Sequence, residues 1–152
     1  MTTMLVHDVM STSPVTVSPT TSVADLLARF DRHDFNAFPV VNDHGHVVGV
    51  VSKLDVLNAF LAEREMPQAA QGAVATERVE ALMTREVIAV GPEDALVLAG
   101  ELMVGAKLHS LPVLERRGGD SLLVGVVSRG DVLRGLRQRL VDSGNAPPYP
   151  TS

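Results

Sequence analysis

The sequence predicts an α+β fold, an α/β sandwich-like arrangement of two β-α-β-β-α units packed sheet to sheet. Three observations carry that expectation. The stretch Gly49-Val50-Val51-Ser52-Lys53-Leu54-Asp55 recurs as Gly125-Val126-Val127-Ser128-Arg129-Gly130-Asp131. Each copy joins a β-branched run suited to a buried strand to a Ser-x-x-Asp start suited to a helix. The apolar positions around the two copies stay in one register along nearly the whole chain, as an internal repeat requires.

Leu5, Val9 and Met10 fit one helical turn, which Ser11-Thr12-Ser13-Pro14 ends. Val15-Thr16-Val17 alternates as a brief strand does, and Ser18-Pro19 closes it. Ser22 stands three residues before Asp25, and Val23, Leu26, Leu27 and Phe30 fall at i, i+3, i+4 and i+7, one helix with one buried face. Phe38-Pro39-Val40-Val41 and Val47-Val48-Gly49-Val50-Val51 flank the turn residues Asn42-Asp43-His44-Gly45-His46 and read as a hairpin. Pro39 is tolerable there at an edge or where the ladder is interrupted. Val56, Leu57, Phe60 and Leu61 mark a second helix.

Met66 to Ala75, rich in Ala, Gln and Gly, reads as a linker, and after it the series returns. Ala81-Leu82-Met83-Thr84 answers Val9-Met10-Ser11, Ile88-Ala89-Val90 answers Val15-Thr16-Val17, and Leu111-Pro112-Val113-Leu114 answers Phe38-Pro39-Val40-Val41. Leu96, Ala99, Gly100 and Met103 keep the spacing of the first helix, and Val132, Leu133, Leu136 and Leu140 extend the last one. The offset is 73 from Met10 to Met83 and from Pro39 to Pro112, but 76 from Gly49 to Gly125 and from Asp55 to Asp131. Three residues are therefore inserted in the turn between Glu115 and Ser121, with the flanking apolar positions still in phase. Units of about 60 residues bury too little surface to be secure alone, so the two are expected to pack face to face by their sheets. The reading divides the chain into repeat one at 4–65, a linker at 66–75, repeat two at 76–141 and a disordered tail at 142–152.

Composition narrows the function. A hydrophobic fraction of 45% excludes a disordered chain, and a net charge of −5 without a basic arm argues against nucleic-acid binding as the main function. The absence of cysteine excludes a disulfide scaffold, a thiolate nucleophile and a cysteine-ligated metal. The first eight residues have neither a basic start nor a signal-like apolar stretch, and no run approaches the ~20 apolar residues a bilayer span needs. A cytoplasmic protein with no membrane segment is expected.

The two signatures are the candidate site. A strand end, a serine and a helix start meet there, offering a hydroxyl and backbone N–H groups with the positive end of a helix dipole behind them, a place to hold a phosphate. A second explanation stays open, because Ser-x-x-Asp is also the pattern of a capping box, which needs no ligand.

With both repeats aligned, the sequence resembles the cystathionine β-synthase (CBS) domain family, and the pair resembles a Bateman module. The residues that carry the resemblance are the Met10 and Met83 lead-ins, the Phe38-Pro39-Val40 and Leu111-Pro112-Val113 strands and the two Gly-Val-Val-Ser-x-x-Asp signatures, in the same order twice, over residues 4 to about 140. The resemblance implies a flat pseudo-twofold module with two clefts between the repeats, a non-enzymatic regulatory and energy-sensing element that binds AMP, ADP, ATP or S-adenosylmethionine without covalent attachment, usually as a homodimer. Carried over residue by residue, Asp55 and Asp131 would accept hydrogen bonds from ribose hydroxyls, and Ser52 and Ser128 would face phosphate. A carboxylate suits a diol because it accepts two charge-assisted bonds. The base would lie among Val15, Phe38 and Pro39 at one site and Ile88, Leu111 and Pro112 at the other. Aromatic residues make up only 3% of the chain, so little ring surface is expected for stacking, and selection of adenine would fall to backbone groups near Ser13 and Glu86. Arg129, a planar fork of donors where the first repeat has the point charge of Lys53, would make the second site the better phosphate site, with His109 adding a polar contact.

Two rival functions are set beside this one. His33, His44, His46 and His109 could be assembled into a metal or acid–base site, though His44-Gly45-His46 sits in a turn without helix-spaced partners. Alternatively the Ser-x-x-Asp pairs only cap helices, and exposed apolar helix faces serve dimerisation or docking on a partner enzyme or transporter.

Overall fold

Two hairpins, each running straight into a helix, form the frame of the structure, a computed structural model that describes residues 3–145. In chain order a short 3₁₀ turn at Val6–Asp8 precedes α1 (Val23–Arg32), β1 (Ala37–Val41), β2 (Val47–Ser52) and α2 (Lys53–Glu63). Short 3₁₀ turns at Gln68–Ala70 and Val74–Thr76 follow, then α3 (Val79–Leu82), α4 (Leu96–Ala106), β3 (Ser110–Arg117), β4 (Asp120–Ser128) and α5 (Arg129–Asp142). Of the tail expected at 142–152, Asp142 still closes α5, and residues 146–152 lie outside the described residues.

The expected α+β class is what is observed, with two small antiparallel sheets, β1-β2 and β3-β4. The brief strands expected at 15–17 and 88–90 shrink to single parallel bridges, Val17 to Val40 and Val90 to Val113. Pro19 and Pro92 follow within two residues of the bridging valines and have no N–H with which to continue a ladder. The Val17 N–H donates to the Pro39 carbonyl at 3.0 Å, and its carbonyl accepts from the Val41 N–H at 2.9 Å. Val90 makes the same two bonds with Pro112 and Leu114, at 3.1 and 2.8 Å. The bridge takes a carbonyl from position 39 and an N–H from position 41, so it never asks for the donor that proline lacks. On the other side Pro39 opposes Val50, whose own N–H and carbonyl turn away to pair with Thr84. Proline is therefore accommodated inside a paired strand at no cost in hydrogen bonds.

The three inserted residues lengthen the second hairpin rather than loosen its turn. Gly118 and Gly119 take φ of 58° and 93°, the two positive values that a two-residue turn matching the strand twist demands. In the first hairpin Asn42 instead organises the turn, its Oδ1 accepting from the N–H groups of His44 and His46 at 3.0 Å each.

Compact units cut across the sequence repeats. One comprises residues 15–87 with the hairpin tip 117–122, and the other comprises 3–14, 88–116 and 123–145. The first buries Val17, Val23, Leu26, Phe38, Val40, Val51, Val56 and Val79. The second buries Val6, Val90, Leu96, Ala99, Met103, Leu111, Val113, Val127 and Val132. The helix faces expected from periodicity are only partly core. Val56 and Val132 are buried, whereas Leu27, Leu57, Leu61, Leu133, Leu136 and Leu140 are exposed. In α5 the inward face is Asp131, Val132 and Gly135, and an added Cβ at Gly135 would collide with Leu96.

Candidate functional site

Each signature begins with a glycine because another segment lies against it. A Cβ built on Gly49 would stand 2.7 Å from Met83 Sδ and 2.9 Å from the Thr84 carbonyl; one on Gly125 would stand 2.9 Å from Met10 Sδ and 2.5 Å from the Ser11 carbonyl. No side chain fits at those distances. The Val50 N–H donates to the Thr84 carbonyl and the Thr84 N–H to the Val50 carbonyl, both at 2.9 Å, and Val126 and Ser11 exchange the same pair at 3.0 and 2.9 Å. The lead-in of each sequence repeat thus closes the strand edge beside the other repeat's signature, where open N–H and carbonyl groups would otherwise invite foreign pairing.

At the end of each strand the chain turns into a helix through a complete capping box. Ser52 Oγ accepts from the Asp55 N–H at 3.0 Å while Asp55 Oδ2 accepts from the Ser52 N–H at 2.9 Å. Ser128 Oγ accepts from the Asp131 N–H at 3.2 Å, and Asp131 Oδ2 from the Ser128 N–H at 2.8 Å. Capping consumes one oxygen of each carboxylate. The other, Oδ1, is engaged by side chains that the sequence reading did not single out. Thr84 Oγ1 donates to Asp55 Oδ1 at 3.3 Å, and the Arg134 guanidinium donates through Nη2 to Asp131 Oδ1. Arg134 carried a local signal, an acid and a base at i and i+3 on one helix. Thr84, far away in sequence, carried none.

The remaining expected residues fall into two groups. Val15, Phe38, Pro39, Ser52, Lys53, Asp55 and Glu86 belong to the unit of 15–87, and Ser13, Ile88, His109, Leu111, Pro112, Ser128, Arg129 and Asp131 to the other. Phe38 and Leu111 are wholly buried in the two cores, Pro39 and Pro112 are buried as well, and Val15 is half-buried. Ile88, Ser13, Glu86 and His109 are exposed. Arg129 donates its Nε to the Leu108 carbonyl at 2.8 Å, and Lys53 Nζ lies 5.9 Å from the Phe30 ring centroid. The backbone N–H of each donates to the residue before the facing strand, Arg129 to His109 and Lys53 to Asn36. An aromatic surface that composition made improbable is present at Phe35, 44% exposed and stacked on His33 at 5.3 Å.

The histidines do not converge. His44 and His46 lie 6.4 Å apart at the hairpin, His46 Nε2 pairs with Asp120 Oδ1 at 3.6 Å, and His33 is taken up with Phe35. Among the described residues no three His, Cys, Asp or Glu side chains are grouped to hold a metal ion, and no helix is long and apolar enough to cross a membrane.

Comparison with known proteins gives both the fold and its company. The family profile described as the CBS domain matches residues 6–62 and 79–138. Among solved structures, CBSX2 in complex with AMP is 31% identical at a TM-score of 0.73, over 89% of this chain and 97% of that one. The CBS domain pair of protein MJ0100, in complex with 5′-methylthioadenosine and S-adenosyl-L-methionine, is 25% identical at a TM-score of 0.73, over 91% and 99%. The CBS domain-containing protein YhcV of Bacillus subtilis is 28% identical over 84% of this chain and 81% of its own length. Other relatives bear enzyme names, an L-aspartate semialdehyde sulfurtransferase, an A-adding tRNA nucleotidyltransferase and a homoserine O-acetyltransferase among them, and the matched region spans only 23%, 15% and 21% of the lengths of these three.

Proposed function

Because the chain belongs to the CBS domain family, we propose that it is a non-catalytic regulatory module that binds an adenosine-containing ligand, AMP, ADP, ATP or S-adenosylmethionine, at its two signature corners. The observation that supports this best is the division of labour within each aspartate. One carboxylate oxygen is fixed by the cap, which aims the other at a side chain that a ribose hydroxyl can replace. Ser52 and Ser128, at helix N-termini, serve the phosphate, and Lys53 and Arg129 balance its charge. Val15 and Ile88 retain accessible apolar surface for the base, with Phe38, Pro39, Leu111 and Pro112 as rigid support. Ser13, Glu86 and His109, all exposed, are the candidates for polar contacts to the ligand. Two relatives whose structures hold AMP, or methylthioadenosine and S-adenosylmethionine, support the ligand class.

A specific observation favours the alternative reading, a ligand-free scaffold that docks as a homodimer or on a partner enzyme or transporter. Both capping boxes are complete from the chain's own serine and aspartate, and leucines stand exposed on α2 and α5. A thermal-shift series separates the two. A nucleotide at 100 times its dissociation constant stabilises the fold by about 2.7 kcal/mol. AMP, ATP or S-adenosylmethionine should raise the melting temperature, and a flat response to all three, at millimolar concentration, contradicts the sensor reading.

A further inference from the structure

The two corners cap their helices alike but hold their second carboxylate oxygen differently. Asp55 Oδ1 meets a neutral hydroxyl, Thr84 Oγ1, at 3.3 Å, whereas Asp131 Oδ1 meets the Arg134 guanidinium. Arg134 has no basic counterpart in the first repeat, where the same offset of 76 falls on Asn58. The guanidinium also reaches over the first turn of α5. A Cβ built on Gly130 would lie 3.6 Å from Arg134 Nη1 and 3.7 Å from Ser128 Oγ, the hydroxyl assigned above to phosphate. The partners differ in exposure, the Asp131 side chain being 11% exposed and that of Arg134 70% exposed. The carboxylate is held by the cap and by burial, and the guanidinium has solvent on its far side.

We propose that Arg134 is a latch that makes the second corner select phosphorylated adenosine ligands over the uncharged nucleoside. The inference rests on the adenine-nucleotide reading of the corners. A ribose that takes Asp131 Oδ1 must displace the guanidinium. A neutral nucleoside such as adenosine leaves the guanidinium without an anion, so displacement works against binding. A nucleoside phosphate brings a replacement anion to the adjacent turn, where the guanidinium's fork of donors matches two phosphate oxygens. At the first corner only a hydroxyl is displaced, and no comparable discrimination arises.

The test is calorimetric titration of AMP and adenosine into Asp55→Ala protein, which isolates the second corner, with and without Arg134→Gln. An ion pair of this exposure shifts an equilibrium by up to roughly fivefold. Arg134→Gln should therefore tighten adenosine by a few fold, weaken AMP, and lower the AMP-to-adenosine affinity ratio by roughly tenfold. As a second variant, Arg134→Gln alone should lower that ratio only at the site that Asp131→Ala removes. A ratio unchanged within twofold while both ligands still bind overturns the latch and leaves the nucleotide reading standing. Binding of neither ligand by wild type or variants overturns both.

Discussion

A single added methyl group distinguishes the glycines of the signatures. At Gly125 it would press on the Ser11 carbonyl, a backbone atom that cannot step aside, whereas at Gly130 it would meet only the Arg134 and Ser128 side chains, at 3.6 and 3.7 Å. Gly125→Ala should cost about 1–3 kcal/mol by forcing strand and lead-in apart. Gly130→Ala, in the first turn of α5, should be neutral or stabilising by up to about 1 kcal/mol. Urea denaturation checks both, and equal effects would contradict the close-approach explanation. The capping boxes were legible in the sequence because Ser52 to Asp55 and Ser128 to Asp131 are three-residue relations that one helical turn imposes. The reason for the glycines was not, since Met83 and Met10 reach them through tertiary contact alone.

Elements were legible where local chemistry settles them. Hairpins announced themselves through Asn42 to His46 and the Gly118-Gly119 turn, and α1 through Ser22 and the Val23, Leu26, Phe30 stripe. Periodicity marked α2 and α5 as helices but left open what covers their apolar faces. Leu57 and Leu133 are 58% and 64% exposed at equivalent positions of the two repeats. Faces of this kind are the surface a homodimer would use, and the homodimer belongs to the alternative reading set out above. On that reading, Leu133→Glu should convert a dimer to a monomer in sedimentation without lowering the melting temperature by more than a few degrees. A variant that sediments like the wild type would remove α5 from the interface.

At the scale of the whole molecule, the repeat in the sequence and the compact units of the structure are different partitions of one chain. Val6 is wholly buried in the core that contains the second signature, and Val79 in the core that contains the first. Each core is thereby completed by a lead-in from the other sequence repeat. Offsets of 73 and 76 revealed the duplication, but no offset reveals such an exchange, because swapping two equivalent segments leaves every periodicity unchanged. The exchange brings Thr84 to Asp55, a contact that bears directly on the proposed site. The most direct measurement of the central claim is calorimetric titration of AMP into wild type, Asp55→Ala and Asp131→Ala. Two binding events in the wild type, with each substitution abolishing a different one, are predicted. Retention of both events at wild-type affinity in either variant would contradict the assignment of ribose to these carboxylates.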